Sequence, residues 1–114
     1  MLKPLPVIIF CLLTNPGNAN ESKTLASLKE NRSCVGCNLS KLNLGLQDLQ
    51  SVDLRGANLS DSYLVNVDLS NANLSNSDLS NTYMNGANLA YTKLVETNFE
   101  GAELESVSYT HLRA

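Results

Sequence analysis

Residues 57–81 read Ala57-Asn58-Leu59-Ser60-Asp61, Ser62-Tyr63-Leu64-Val65-Asn66, Val67-Asp68-Leu69-Ser70-Asn71, Ala72-Asn73-Leu74-Ser75-Asn76 and Ser77-Asp78-Leu79-Ser80-Asn81. The third place of each block is Leu, the first is small or β-branched, and the second is mostly Asn or Asp. With the Leu place taken as slot i, the register extends upstream through Leu54, Leu49, Leu44 and Leu39. Downstream it runs through Met84, Leu89, Leu94, Phe99, Leu104 and Tyr109. Slot i−2 holds residues such as Cys37, Val52, Ala57, Ala72 and Thr92, and slot i−1 holds Asn58, Asp68, Asn73, Asp78 and Asn88.

No straight element tolerates a five-residue period. A step of five on an α-helix rotates the apolar residue by about 140° and smears it around the cylinder. On a strand an odd step sends it to the opposite face each time. Slots i−2 and i share one face of a short extended segment. The chain must therefore turn once per pentapeptide, at slots i+1 and i+2. Those slots hold corner residues such as Ser70-Asn71, Asn85-Gly86 and Arg55-Gly56. If each corner is close to a right angle, four repeats close one coil. Successive coils then stack at the interstrand spacing of about 4.8 Å.

The pattern Ala-(Asp/Asn)-Leu-x-x in Ala57-Asn58-Leu59, Ala72-Asn73-Leu74 and Ala87-Asn88-Leu89 resembles the pentapeptide repeat family. The resemblance implies an all-β solenoid, a right-handed quadrilateral β-helix, over residues 37–106. It implies no shared catalytic activity, because one scaffold serves different roles.

The segments before the repeats carry their own signals. Residues 1–19 have the layout of a secretory signal peptide: Lys3, an apolar run from Val7 to Leu13, and small residues at Gly17 and Ala19. The run is too short to span a bilayer as a stable helix. Residues 20–36 read as a cap, with a short amphipathic helix over Glu21 to Arg32 that places Leu25 and Leu28 on one face. Cys34-Val35-Gly36-Cys37 follows, with both cysteines in inward slots. An oxidising compartment favours a Cys34–Cys37 disulfide. Two buried thiols acting as small apolar residues are the other reading. A zinc site lacks a second ligand pair, since His111 is the sole histidine and lies far along the chain. A helix followed by Cys-x-Gly-Cys and the repeats also resembles exported pentapeptide proteins of cyanobacteria, which implies the periplasm or the thylakoid lumen.

Residues 107–114 fit the register less well. Val107 and Tyr109 suit slots i−2 and i, but Leu112 and Ala114 reverse the large and small preference. This stretch also resembles translated sequencing adaptor, a resemblance that implies a non-native tail over residues 107–114.

With 8 Lys+Arg against 11 Asp+Glu and few aromatics, function must be sought on the outside of the solenoid. Residues twenty apart should lie one above another. That places Tyr63 over Tyr83, with Val65 beside them and Leu46 at the adjoining corner. Contiguous exposed apolar side chains mark interaction sites, so Leu46, Tyr63, Val65 and Tyr83 form the candidate protein-binding patch, for a partner or a second copy. A tyrosine ladder that merely stabilises neighbouring coils is the alternative. Asp48 over Asp68 and Asp53 over Asn73 give short acidic ladders. They raise a second function, a DNA-mimic inhibitor or protector of an enzyme such as gyrase, which the export signal disfavours. No acid–base pair, nucleophile motif, phosphate loop, cofactor site or metal site appears. The expectation is a non-catalytic scaffold without nucleic-acid or membrane partners.

Overall fold

The computed structural model describes residue 26 and residues 28–109. The signal-like residues 1–19, Leu25, and residues 110–114 lie outside the described residues.

The repeats coil as the five-residue period requires. Parallel bridges join residues twenty apart, among them Asn58 with Asp78, Tyr63 with Tyr83, and Asp48 with Asp68. Four five-residue sides therefore make one coil, and each side pairs with the same side above and below. The ladder continues through Ser108, which bridges to Asn88. Slot i fills the interior, where Leu39, Leu44, Leu49, Leu54, Leu59, Leu64 and the slot-i residues that follow through Leu89 are essentially fully buried, and Leu94, Phe99 and Leu104 are partly buried against them. Slot i−2 sits beside it. Its hydroxyls stay satisfied by donating to slot-i carbonyls of the preceding side, within the coil as Thr82 does to Leu79 at 2.9 Å, or in the neighbouring coil as Thr92 does to Leu69 at 2.9 Å. Ser or Thr can thus replace Ala inside the column without leaving an unpaired polar group.

The corners are narrower in their demands than the sequence suggested. Slot i+2 has positive φ throughout residues 36–106, at Gly36, Lys41, Leu46, Ser51 and onward every five residues, whereas slot i+1 never does. A carbonyl at slot i accepts the amide three residues on, as Leu54 does from Ala57 at 3.0 Å. Negative then positive φ within that bond is the type II pattern, so one residue per corner needs the left-handed region.

Backbone hydrogen bonding accounts for four amides of a central pentapeptide such as residues 58–62. Asn58 donates to Cys37, Leu59 to Asp78, Asp61 to Ser80, and Ser62 to Leu59. The fifth amide, at slot i+1, is met by a side chain. The Oδ1 of Asn58 accepts the Ser60 amide at 3.0 Å, that of Asp78 accepts Ser80 at 3.0 Å, and that of Asn88 accepts Ala90 at 3.0 Å. This explains why Asn and Asp dominate slot i−1: they close an Asx turn across the corner.

At the N-terminal end, residues 26 and 28–31 are helical. Leu28 is fully buried in the same cluster as Cys34 and Leu39. Lys29 Nζ donates to Gln47 Oε1 at 2.6 Å, and Arg32 Nη1 donates to the Asp48 carbonyl at 2.7 Å. Burial and the neighbouring Arg32 pull the Lys29 ammonium below its ordinary range. Cys34 and Cys37 are bonded to each other, with Cα atoms 5.3 Å apart. That corner also carries the usual Cys37 to Cys34 backbone bond at 3.2 Å.

Candidate functional site

The four sequence-predicted surface residues fall on one side of the solenoid and the corner that follows it. Asn43, Tyr63, Tyr83 and Glu103 are the stacked outward residues of that side. The Tyr63 and Tyr83 rings lie 6.4 Å apart at a 48° tilt, and each is about half exposed, at 46% and 49%. Leu46 stands out at the corner with 79% exposure, the largest value for a large apolar side chain among the described residues. Val65 is half-buried between them.

Three local departures from the repeat coincide here. First, Tyr63 and Tyr83 have no Oδ1, so they cannot close the corner. No acceptor meets the Val65 or Asn85 amide among the described residues. One coil beyond Asn85, Glu105 finds a substitute, its amide donating to Asn85 Oδ1 at 3.1 Å. Second, the Gly45-Leu46 corner is inverted. Elsewhere a corner glycine takes slot i+2, as Gly56 and Gly86 do with φ of 67° and 77°, but here Leu46 takes it with φ of 61°. A Leu in the left-handed region is strained by about 1–2 kcal/mol. Third, Gly45 makes space. A Cβ there would lie 3.0 Å from Tyr63 Cε2 and 3.3 Å from the Val65 carbonyl oxygen, so the missing side chain lets the Tyr63 ring lie over the corner.

Sequence reasoning missed Gly45. Its signal was present: glycine stood at slot i+1, where no special φ is needed. It also missed Tyr91 and Val95, exposed at 48% and 43% on other corners. Tyr91, with Asn71, Asn73 and Lys93, lines an open hollow away from the tyrosine pair. Among the described residues no group of His, Cys, Asp and Glu is arranged to hold a metal ion, and no helix is long and apolar enough to cross a membrane.

Electrostatics on the other sides serve the corners. Arg55 donates to both Asp53 oxygens, at 2.8 and 2.7 Å, and these bonds hold the carboxyl below its ordinary range. The Asp78 carboxyl is likewise held low, by the Ser80 hydroxyl and amide.

The family model for pentapeptide repeats matches residues 33–64, 62–101 and 82–108, with eight copies of the repeat. The chain belongs to the pentapeptide repeat family. The family's fold is the right-handed β-helix, and no catalytic family is indicated. Among solved structures, the chain is similar to HetL, a pentapeptide repeat protein involved in heterocyst differentiation regulation in the cyanobacterium Nostoc sp. strain PCC 7120. They are 24% identical over 71% of this chain and 38% of that one, with a TM-score of 0.68. A second Nostoc PCC 7120 pentapeptide repeat protein is 29% identical over 79% of this chain and 94% of that one, with a TM-score of 0.46. An Arabidopsis thaliana pentapeptide repeat protein of the thylakoid lumen is 28% identical over 71% and 61%, with a TM-score of 0.41. The chain thus spans well under half of HetL. No curated protein matches the sequence.

Proposed function

We propose that this pentapeptide repeat chain is a non-catalytic, exported protein-binding scaffold whose contact surface is Leu46, Tyr63, Val65 and Tyr83. The observation that carries this reading is the coincidence on one side of two missing Asx turns and one strained leucine. Each departure weakens the coil, and together they place aromatic and aliphatic side chains outward on neighbouring coils. Interfaces are rich in tyrosine because its ring buries a large area with few rotatable bonds.

Export to the periplasm or thylakoid lumen rests on the signal-like residues 1–19 and on the Cys34–Cys37 pair, which suits an oxidising compartment. Residues 20–36 act as the N-terminal cap, a role supported by the burial of Leu28 and the contacts of Lys29 and Arg32 with the first coil. A cap blunts the open edge that a solenoid otherwise presents.

Photo-crosslinking tests the surface. A benzophenone side chain at position 63 should yield a discrete protein adduct in the exported fraction of the source cells. The same group at Asn71, an exposed corner outside the patch, should yield none. Equal labelling from both positions, or none from position 63, would remove the surface from the account.

A further inference from the structure

The tyrosine side is flanked by unlike charges at its two ends. Lys41 stands at the corner leading into it on the first coil, and Glu100 stands at the same corner three coils later. Neither forms an ion pair with another described residue. Between them the outward column runs Asn43, Tyr63, Tyr83, Glu103. The midpoint of this column falls between the two rings.

A surface with this order is complementary to itself when turned end for end. From this we propose that the tyrosine side binds a second copy of the chain about a two-fold axis perpendicular to the solenoid axis, an inference that rests on the binding surface proposed above. A two-fold axis lying along the side keeps each column opposite itself and reverses the order of the coils. Tyr63 then faces Tyr83 of the second copy, Asn43 faces Glu103, and Lys41 faces Glu100, each contact occurring twice. Leu46, which protrudes most, falls opposite the small Ser106 at its own corner. The parallel alternative, with the axis along the solenoid, sets Glu103 against Glu103 and leaves Lys41 without an acidic partner. Charge therefore selects the antiparallel pair.

The side is short. Its four stacked rows span about 14 Å from first to last at the interstrand spacing, so the contact lies below the ~800 Å² per partner of a stable interface. The dimer should be weak, in exchange with monomer, and weakened further by salt, which screens the exposed ion pairs.

Sedimentation of the purified chain over a wide concentration range provides the test. The weight-average mass should rise toward a dimer and no further, because a two-fold contact closes. Lys41→Glu and Glu100→Lys should each weaken the dimer by about fivefold or more, since each sets like charges together at two places. The double variant Lys41→Glu/Glu100→Lys should restore the parent affinity to within about twofold. All three should melt as the parent does, because both side chains lie on exposed corners outside any ion pair. Recovery in the double variant is the signature of direct pairing. A chain that stays monomeric at every concentration overturns the inference. So does a dimer indifferent to both reversals, or weakened by them without recovery. If the monomer still gives the position-63 adduct with a different protein, the binding surface stands and only the second copy is removed.

Discussion

Opposite sides of the same coils carry the same interior and different exteriors. Leu54 and Leu74 on one side, and Leu64 and Met84 on the other, are all fully buried. Outside Leu54 and Leu74 stand Asp53 and Asn73, whose Oδ1 atoms accept the Arg55 and Ser75 amides. Their corners put Gly56 and Asn76 in the left-handed region, where both residues are at ease. Outside Leu64 and Met84 stand two tyrosines that accept nothing, and the neighbouring corner strains Leu46. One coil on, the first side departs too, where Lys93 has no Oδ1 to close the turn and Glu96 takes the left-handed slot. The interior thus holds the fold on both sides, and the exterior of the tyrosine side departs on two successive coils. Departures of this kind concentrate at functional surfaces.

If the interiors are equivalent, breaking either should be equally damaging. Leu74→Asp and Leu64→Asp each place an unpaired carboxylate in a column one side chain wide. The loss should be several kcal/mol, comparable to the whole stability of a small domain. Both variants should lack a cooperative thermal transition at room temperature and above. A folded Leu64→Asp beside an unfolded Leu74→Asp would show that the tyrosine side is built differently inside.

Corner glycines give the next effect. Gly56→Ala meets open space and pays only for the left-handed backbone, about 1 kcal/mol. Gly86→Ala, on the tyrosine side, adds a collision of its Cβ with Asn66 Oδ1 and should lose about 2 kcal/mol. Urea denaturation of the two variants separates backbone strain from the inter-coil contact. Equal losses would show that Asn66 simply moves aside.

Leu46→Asn runs in the other direction. Asparagine tolerates the left-handed region, so stability should rise by about 0.5–1 kcal/mol. A matching change at Asn76→Leu, on the opposite side, should lower stability by a similar amount. An unchanged Leu46→Asn midpoint in urea would mean that the leucine is not strained.

Acid provides a smaller effect. The Asp53 and Asp78 carboxyls are held below the ordinary value of 3.8. Their contribution is present above that value and is lost as pH falls through their lowered values. Melting temperature should therefore be insensitive to these two groups above about pH 5 and fall below 3.8. Both groups are only partly buried and solvent screens them, so the fall should be slight. Asp78→Asn keeps the Oδ1 that accepts the Ser80 amide and should reduce only the acid dependence, as thermal melts between pH 5 and pH 2 would show.

The reach of sequence reasoning follows the same division. The period forced the corners, and the corners forced the twenty-residue stacking, so Tyr63 above Tyr83 and Asp48 above Asp68 were readable in advance. Inward placement of Cys34 and burial of Leu28 were readable for the same reason. Which corner slot is left-handed was not, because Asn, Ser and Gly occupy both slots and Lys41, Leu46, Tyr91 and Glu96 occupy the strained one. The purpose of Asn and Asp at slot i−1 was also hidden, since it depends on one amide that backbone pairing leaves over. Without it, Tyr63 and Tyr83 were visible as exposed rings but not as lost Asx turns. Gly45 was hidden because its role lies in the space it leaves for a ring twenty residues on.

The central claim is that Tyr63 and Tyr83 serve binding rather than the coil. Tyr63→Asn/Tyr83→Asn removes a ring contact of about 0.5–1.5 kcal/mol and supplies two Oδ1 acceptors for the Val65 and Asn85 amides, each worth about 1 kcal/mol. The double variant should melt no lower than the parent, and up to about 10 °C higher. Its weight-average mass should stay at monomer across the concentrations where the parent associates, and position-71 and patch-directed crosslinkers should label it alike. A double variant that melts far lower, or that keeps both its melting temperature and its association, would make the tyrosines ladder packing and contradict the account.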